Sequence, residues 1–230
     1  MTEQIRPWMA ELVGTFVLVL GAAGSAMVVV DELSVSANML IAVLGSVFAL
    51  SAGIYMFYDV SGSQFNPAVT VALFVLGKIS LVAGVGNIVA QIIGAILATA
   101  VLASAIPLGP SNYGLTTVAF GTEPWQAVIL AAAGTFILVS TILFVAVRYR
   151  LPASAAALAI PTALAAGLIV SGALTGGSLN PARTLGPALL SGEFANHWVY
   201  WAGPLAGALI ASLVFAALTA GQPTDAEPPG

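Results

Sequence analysis

The chain has 230 residues, 60% of them hydrophobic and only 6% charged, with a formal net charge of -4. A soluble domain covers its surface with several times more charge, so a water-soluble globular protein is excluded. The absence of cysteine removes disulfides, thiolate chemistry and sulfur-ligated metals. A single histidine leaves little for a metal cluster, no cofactor is expected, and nothing points to nucleic acid.

Charges are separated by long uncharged runs, 33–58 and 79–122 among them. These reach the ~20 residues that a helix needs to cross a bilayer, so an integral membrane protein is predicted. The first span is placed at about 8–30. Arg6, the apolar run and the small-residue stretch GAAGSA (21–26) have the look of a signal peptide. The run is too long for one and contains Glu11, which favours an uncleaved transmembrane helix. A second span covers about 38–58. The next apolar stretch, NPAVTVALFVLG (66–77), is only 12 residues, about 18 Å as a helix and half a membrane. A third span runs over 81–106, and the turn-rich PLGPSNYG (107–114) opens a long loop. The fourth and fifth spans are placed at 124–147 and 152–174. NPARTLGPALL (180–190) is the second half-length helix, and a sixth span covers 198–219. The tail from 221 to 230 reads as disordered.

The order is full, full, half, full, and then the same again. Residues support the duplication: GTFVLV (14–19) matches GTFILV (134–139), and SGSQFNPA matches TGGSLNPA. GAILA (94–98) resembles GALIA (207–211). The chain is therefore read as one transmembrane domain, with repeats at about 8–106 and 124–219. Three full spans per repeat force the halves into opposite orientations, and short segments at corresponding points of such halves mark a transport site. The fold class is an all-α membrane protein with six transmembrane helices, two re-entrant half-helices and an inverted internal repeat. Arg6, Lys78, Arg148 and Arg150 fall on one side of this topology, while Asp31, Glu32, Glu123 and Glu193 fall on the other. The positive-inside rule makes the first side cytoplasmic, with both termini there, in a multi-pass protein of the cell membrane.

Asn66-Pro67-Ala68 and Asn180-Pro181-Ala182 are helix-start signals. Asn is a strong N-cap, and Pro suits the first helical position because no donor is needed there. One copy would be read as a capped helix start and nothing more. Two copies at matching points of an inverted repeat bring two half-helix N-termini together near the midplane. The non-helical backbone before each is tolerated in a membrane only around protein or a water-filled cavity, so a polar path is implied.

On SGSQFNPAVT, TGGSLNPARTLGPA and ELVGTF, the chain resembles the aquaporin (major intrinsic protein) family over nearly its whole length. The resemblance implies a right-handed six-helix bundle, usually a homotetramer with one pore per subunit. It implies that Asn66 and Asn180 donate to the path as well as cap. A water accepting from both points its hydrogens away along the pore, which interrupts a proton relay. The facing N-termini, roughly +0.5 charge each, disfavour cations. Carbonyls of Ser63, Gln64, Phe65, Ser178 and Leu179 would accept from passing solute.

Arg183 is the cation that the orientation rule leaves over. A charge deep in a membrane costs at least ~2.5–3.5 kcal/mol, so it faces water or a partner. Snorkelling and satisfaction of loop carbonyls are the structural alternatives. The resemblance makes Arg183 part of an outer selectivity filter. Gapless transfer completes that filter with Ser46, Leu168 and Gly177, with a shift from Ser46 to Val47 or Phe48 left open. The His and Phe of strict water channels are missing, which predicts a wide, permissive opening. Thr184, Ala188, Tyr200 and Trp201 nevertheless occupy positions where they resemble water channels rather than glycerol facilitators. Gln64 stands where His is common, which removes one pH-sensitive group. Glu11 matches the family's buried acid, which supports a re-entrant loop, but its repeat mate is Ala131, so the loop around Ser178 must be held differently, with water as one means. His197 is read as an interface residue, Asp59 as a solvated vestibule charge, and Gly94, Gly203 and Gly207 as packing residues.

The expected function is a passive channel for water and small uncharged solutes that excludes protons and ions. A facilitator of glycerol, ammonia or hydrogen sulfide is the alternative. A coupled transporter would want ionisable groups along the path, and only Glu11, Asp59 and Arg183 are candidates. A non-conducting structural protein would show a blocked pore. No nucleophile, base and orienting group assemble, which points away from an enzyme. The expected partners are water, small neutral solutes, the lipid bilayer and further copies of the chain.

Overall fold

The computed structural model describes residues 2–28, 34–107 and 112–222, with side chains from residue 5 onward. Asp31 and Glu32, and the tail from residue 223, lie outside these described residues. In chain order the helices are α1 (Thr2–Met27), α2 (Val35–Ser61), α3 (Pro67–Val75), α4 (Leu81–Ala105), α5 (Pro124–Ile142), α6 (Ala153–Thr175), α7 (Pro181–Ser191) and α8 (Val199–Thr219). All except α3 and α7 are long and apolar enough to cross a membrane. With 9 and 11 residues, α3 and α7 are about 14 and 17 Å long, half of a ~30 Å hydrocarbon core.

Local chemistry sets the ends. Helix α2 starts three residues earlier than the sequence pattern suggests, because Ser34 is extended and its hydroxyl accepts from the Ala37 N–H. It stops at Gly62, whose left-handed backbone lets its N–H donate to the Tyr58 carbonyl. Helix α5 winds on through a π-helical turn, Leu143–Arg148, so its span reaches Arg148.

The two halves use the same packing devices. A Cβ on Gly94 would sit 2.2 Å from the Leu12 carbonyl oxygen, and one on Gly207 2.2 Å from the Ala132 oxygen. The α1–α4 and α5–α8 contacts therefore depend on equivalent glycines that let backbones touch. Toward the outside, Val82, Val85, Val89, Leu97 and Val101 of α4 are exposed at spacings of three, four and eight residues. That apolar stripe is what a helix presents to lipid or to a neighbouring subunit, while the polar groups turn inward.

Candidate transport site

Helices α3 and α7 begin at the two Asn-Pro-Ala motifs. Asn66 Oδ1 accepts from the Ala68 N–H at 2.9 Å, and Asn180 Oδ1 accepts from Ala182 and Arg183 N–H at 3.0 and 3.3 Å. Each amide nitrogen then reaches across the repeat. Asn66 Nδ2 donates to the Leu179 carbonyl at 2.9 Å, and Asn180 Nδ2 to the Phe65 carbonyl at 2.7 Å. These reciprocal bonds lock the two half-helix N-termini together. Because a carboxamide carries two N–H groups, one on each Asn is left over.

Between them lies a cavity of about 80 Å³. Water needs roughly 10–15 Å³ each by the same measure, so a few molecules fit. Its lining is mixed, with aliphatic side chains, including Leu18, Val43, Leu138 and Leu164, and the polar residues Asn66, Asn180, Ser63, Gln64, Ser178 and Arg183. Ser46, Leu168 and Gly177 also belong to it. Phe48 is 66% exposed on the outside of α2 and Val47 packs against the core, so neither reaches the cavity. The Ser46 hydroxyl donates back to the Ala42 carbonyl at 2.8 Å, which leaves its own lone pairs free.

One expectation needs correction. Phe65 is not among the cavity-lining residues, and its carbonyl accepts from Asn180. Its fully buried ring is wedged where a Cβ on Gly14 would meet it at 1.9 Å and one on Gly53 at 2.9 Å. Leu179 is wedged identically between Gly134 and Gly167, at 2.8 and 2.6 Å. Both residues are knobs that seat a re-entrant loop into a glycine-lined hole of its own repeat. A residue before Asn-Pro-Ala has to turn inward for this, so its carbonyl goes to the partner motif instead of to solute.

The loops differ in what holds them. In the first, Ser63 and Phe65 have positive φ (52° and 49°), a region costing non-glycine residues about 1–3 kcal/mol each. The fully buried Glu11 offsets this strain. Its Oε1 accepts from the Ser61 hydroxyl (2.6 Å) and Gln64 N–H (2.9 Å), and Oε2 accepts from the Phe65 N–H and Gln91 Nε2 (both 2.7 Å). Gln64 is fixed in turn, its Oε1 accepting from Thr70 and Asn87 at 2.7 and 3.1 Å. In the second loop the positive φ values fall on Gly176 and Gly177, where they cost little. Ala131 supplies no acid, and the loop is held by hydroxyls: Thr184 Oγ1 donates to Ser178 Oγ at 2.5 Å, and Ser178 Oγ to the Asn180 carbonyl at 3.0 Å.

Arg183 is 8% exposed and stands on the cavity wall. Its Nη1 donates to the Gly114 carbonyl at 2.6 Å and its Nη2 to the Ala22 carbonyl at 3.3 Å. Lining and carbonyl satisfaction are thus both true of it. A guanidinium has five donors, so others remain beyond these two. His197 lies before α8, away from the cavity, with Nε2 accepting from Trp201 Nε1 at 3.2 Å and its ring 5.3 Å from that of Phe194. At the other end, Lys78, Arg150 and Tyr58 line a wider recess of about 330 Å³.

Two capped half-helices meeting inside six spans, around a cavity lined by aliphatic and polar residues, define a membrane channel. The chain belongs to the major intrinsic protein family, the aquaporins, whose family model matches residues 1–215. It is similar to a probable TIP-type aquaporin of Medicago truncatula, 36% identical over 94% of this chain and 88% of the relative. It is also 35% identical to aquaporin TIP1-2 of Musa acuminata, covering 99% and 92%. Among solved structures, an aquaglyceroporin from Plasmodium falciparum superposes with a TM-score of 0.78, covering 94% of this chain and 97% of that one. At 21% identity that match establishes the shared fold. The protein is a passive channel for water and small neutral solutes of this family.

Proposed function

We propose that water is the principal permeant and that protons and ions are excluded at two levels of the cavity. The observation that carries this is the pair of reciprocally locked Asn amides on the cavity wall. Each has one N–H left for a water oxygen, and together they hold that water with its hydrogens pointing apart along the path. Arg183, Ser46, Leu168 and Gly177 form the outer filter, with Arg183 repelling cations. Leu168 supplies bulk but no hydrogen bond, and Gly177 supplies no side chain, so small neutral solutes pass with water. Carbonyls of Ser63, Gln64 and Ser178 accept from the file, while that of Leu179, like that of Phe65, is taken by the partner motif.

The channel works as a homotetramer in the cell membrane, termini in the cytoplasm. In support of that orientation, Lys78 and Arg150 line the same recess, and Arg148 Nη2 donates to Gln222 near the C-terminus at 2.8 Å. Transport is uncoupled and no catalysis takes place. Purified protein in liposomes, shrunk by an impermeant osmolyte in a stopped-flow instrument, should equilibrate at least about tenfold faster than empty vesicles. An imposed sodium gradient should leave that rate unchanged. Rates equal to empty vesicles, with folded and inserted protein, would refute the reading.

A further inference from the structure

The missing acid at Ala131 leaves the second re-entrant loop without the anchor that Glu11 gives the first. Its replacement comes from outside the bundle. The segment 112–119, between α4 and α5, crosses directly over that loop. Gly114 accepts from Arg183, the Ala119 N–H donates to the Leu174 carbonyl at 3.0 Å, and a Cβ on Gly176 would sit 3.0 Å from Thr116 Cα. The Thr116 and Thr184 hydroxyls bond to one another at 3.1 Å, Thr184 donates to Ser178, and Ser178 to the Asn180 carbonyl. Thr175 completes the set, its hydroxyl accepting from the Gly177 N–H at 3.1 Å and its carbonyl accepting from the Tyr200 phenol at 2.8 Å. Thr116, Thr175, Ser178, Thr184 and Tyr200 are all buried, with at most 4% exposure.

We infer that Thr116, acting through Thr184 and Ser178, is a positioning residue for the filter: the strap 112–119 sets the place of Gly177 and Arg183 and so sets solute selectivity. The inference rests on the channel reading above. Its chemistry differs from that of the first loop. A carboxylate accepts four bonds from a fixed point on α1, whereas a hydroxyl chain passes one bond from each member to the next. Removing any member cuts the hydroxyl link and leaves only the Gly114–Arg183 and Ala119–Leu174 bonds between strap and filter, while the glycines at 176 and 177 tolerate the new backbone position without strain. The cost therefore falls on solute discrimination more than on folding.

The test uses the full-length protein in liposomes, with Thr116→Val, Thr184→Val and the restoring variant Thr116→Ser. Valine keeps the shape and deletes the hydroxyl. Glycerol and water permeability are measured on the same vesicles, and amide hydrogen exchange is followed over 176–184. Both valine variants should raise the glycerol-to-water permeability ratio at least about threefold and speed exchange in that segment about tenfold. Serine at 116 should return both values to those of the parent. A merely structural threonine would lower the melting temperature or yield and leave the ratio in place. If Thr184→Val fails to fold, Thr116→Val decides alone, because it lies in the connection between α4 and α5 and not in a half-helix. An unchanged ratio and unchanged exchange in Thr116→Val overturn the inference. If the parent protein conducts neither solute, the channel reading fails by itself, and the exchange data still judge the strap.

Discussion

Glu11 shows how much a single buried side chain can carry. Two of its four donors, the Gln64 and Phe65 N–H groups, are backbone amides with no other partner among the described residues. Glu11→Ala leaves both unsatisfied in the membrane interior, at about 1–3 kcal/mol each. Thermal unfolding in detergent should show a clear drop in melting temperature, and water conduction should fall with it. An unchanged melting temperature would remove Glu11 from its supporting role. Gln64 bears on pH. Among the described residues Arg183 is the sole ionisable side chain lining the cavity, so conduction should be flat between pH 5 and 8. His197 titrates elsewhere: burial lowers its pKa, and Nε2 needs to stay unprotonated to accept from Trp201. As its folded value lies below the unfolded one, stability is full above about pH 6.5 and declines as pH falls through that point. A pH scan of melting temperature should show that decline, which His197→Phe should lessen. Residue roles were unevenly legible in the sequence. Asn66, Asn180 and Arg183 stand out as polar groups in apolar surroundings. Thr116 carried no signal, because its partner Thr184 is 68 residues away and a threonine in a polar loop is unremarkable.

At the scale of elements, the half-helices were readable because cap chemistry is local: Asn, Pro and a short apolar run lie next to one another. The seating of the loops was not readable. The holes that receive Phe65 and Leu179 are built from glycines on two other helices, and a sequence shows glycine spacing but not what enters the gap. That is why Phe65 was expected on the path and lies in a socket instead. The sockets make a prediction of their own. Gly14→Val places carbon inside the Phe65 ring position, and overpacking of this kind costs about 1–3 kcal/mol or prevents folding. The double variant Gly14→Val, Phe65→Ala makes room for the added bulk and should recover part of the folded yield in size-exclusion chromatography. Equal yields for parent and Gly14→Val would show that the socket is not tightly filled.

At the scale of the whole molecule, the inverted repeat explains both the meeting of the half-helices and the segregation of cations. Orientation can be tested cleanly because the chain has no cysteine. A single cysteine at Gly77 or Gln222 should resist a membrane-impermeant maleimide added outside intact cells, while one at Glu193 should react. The reverse pattern would invert the topology. The most direct measurement of the central claim is water and proton permeability on one batch of proteoliposomes, by light scattering after osmotic shock and by an entrapped pH dye after an acid pulse. Water equilibration at least about tenfold above empty vesicles, with proton entry no faster than theirs, is the result that two locked Asn donors and Arg183 predict. Proton entry rising in step with water would contradict it, because the file would then run unbroken through the cavity.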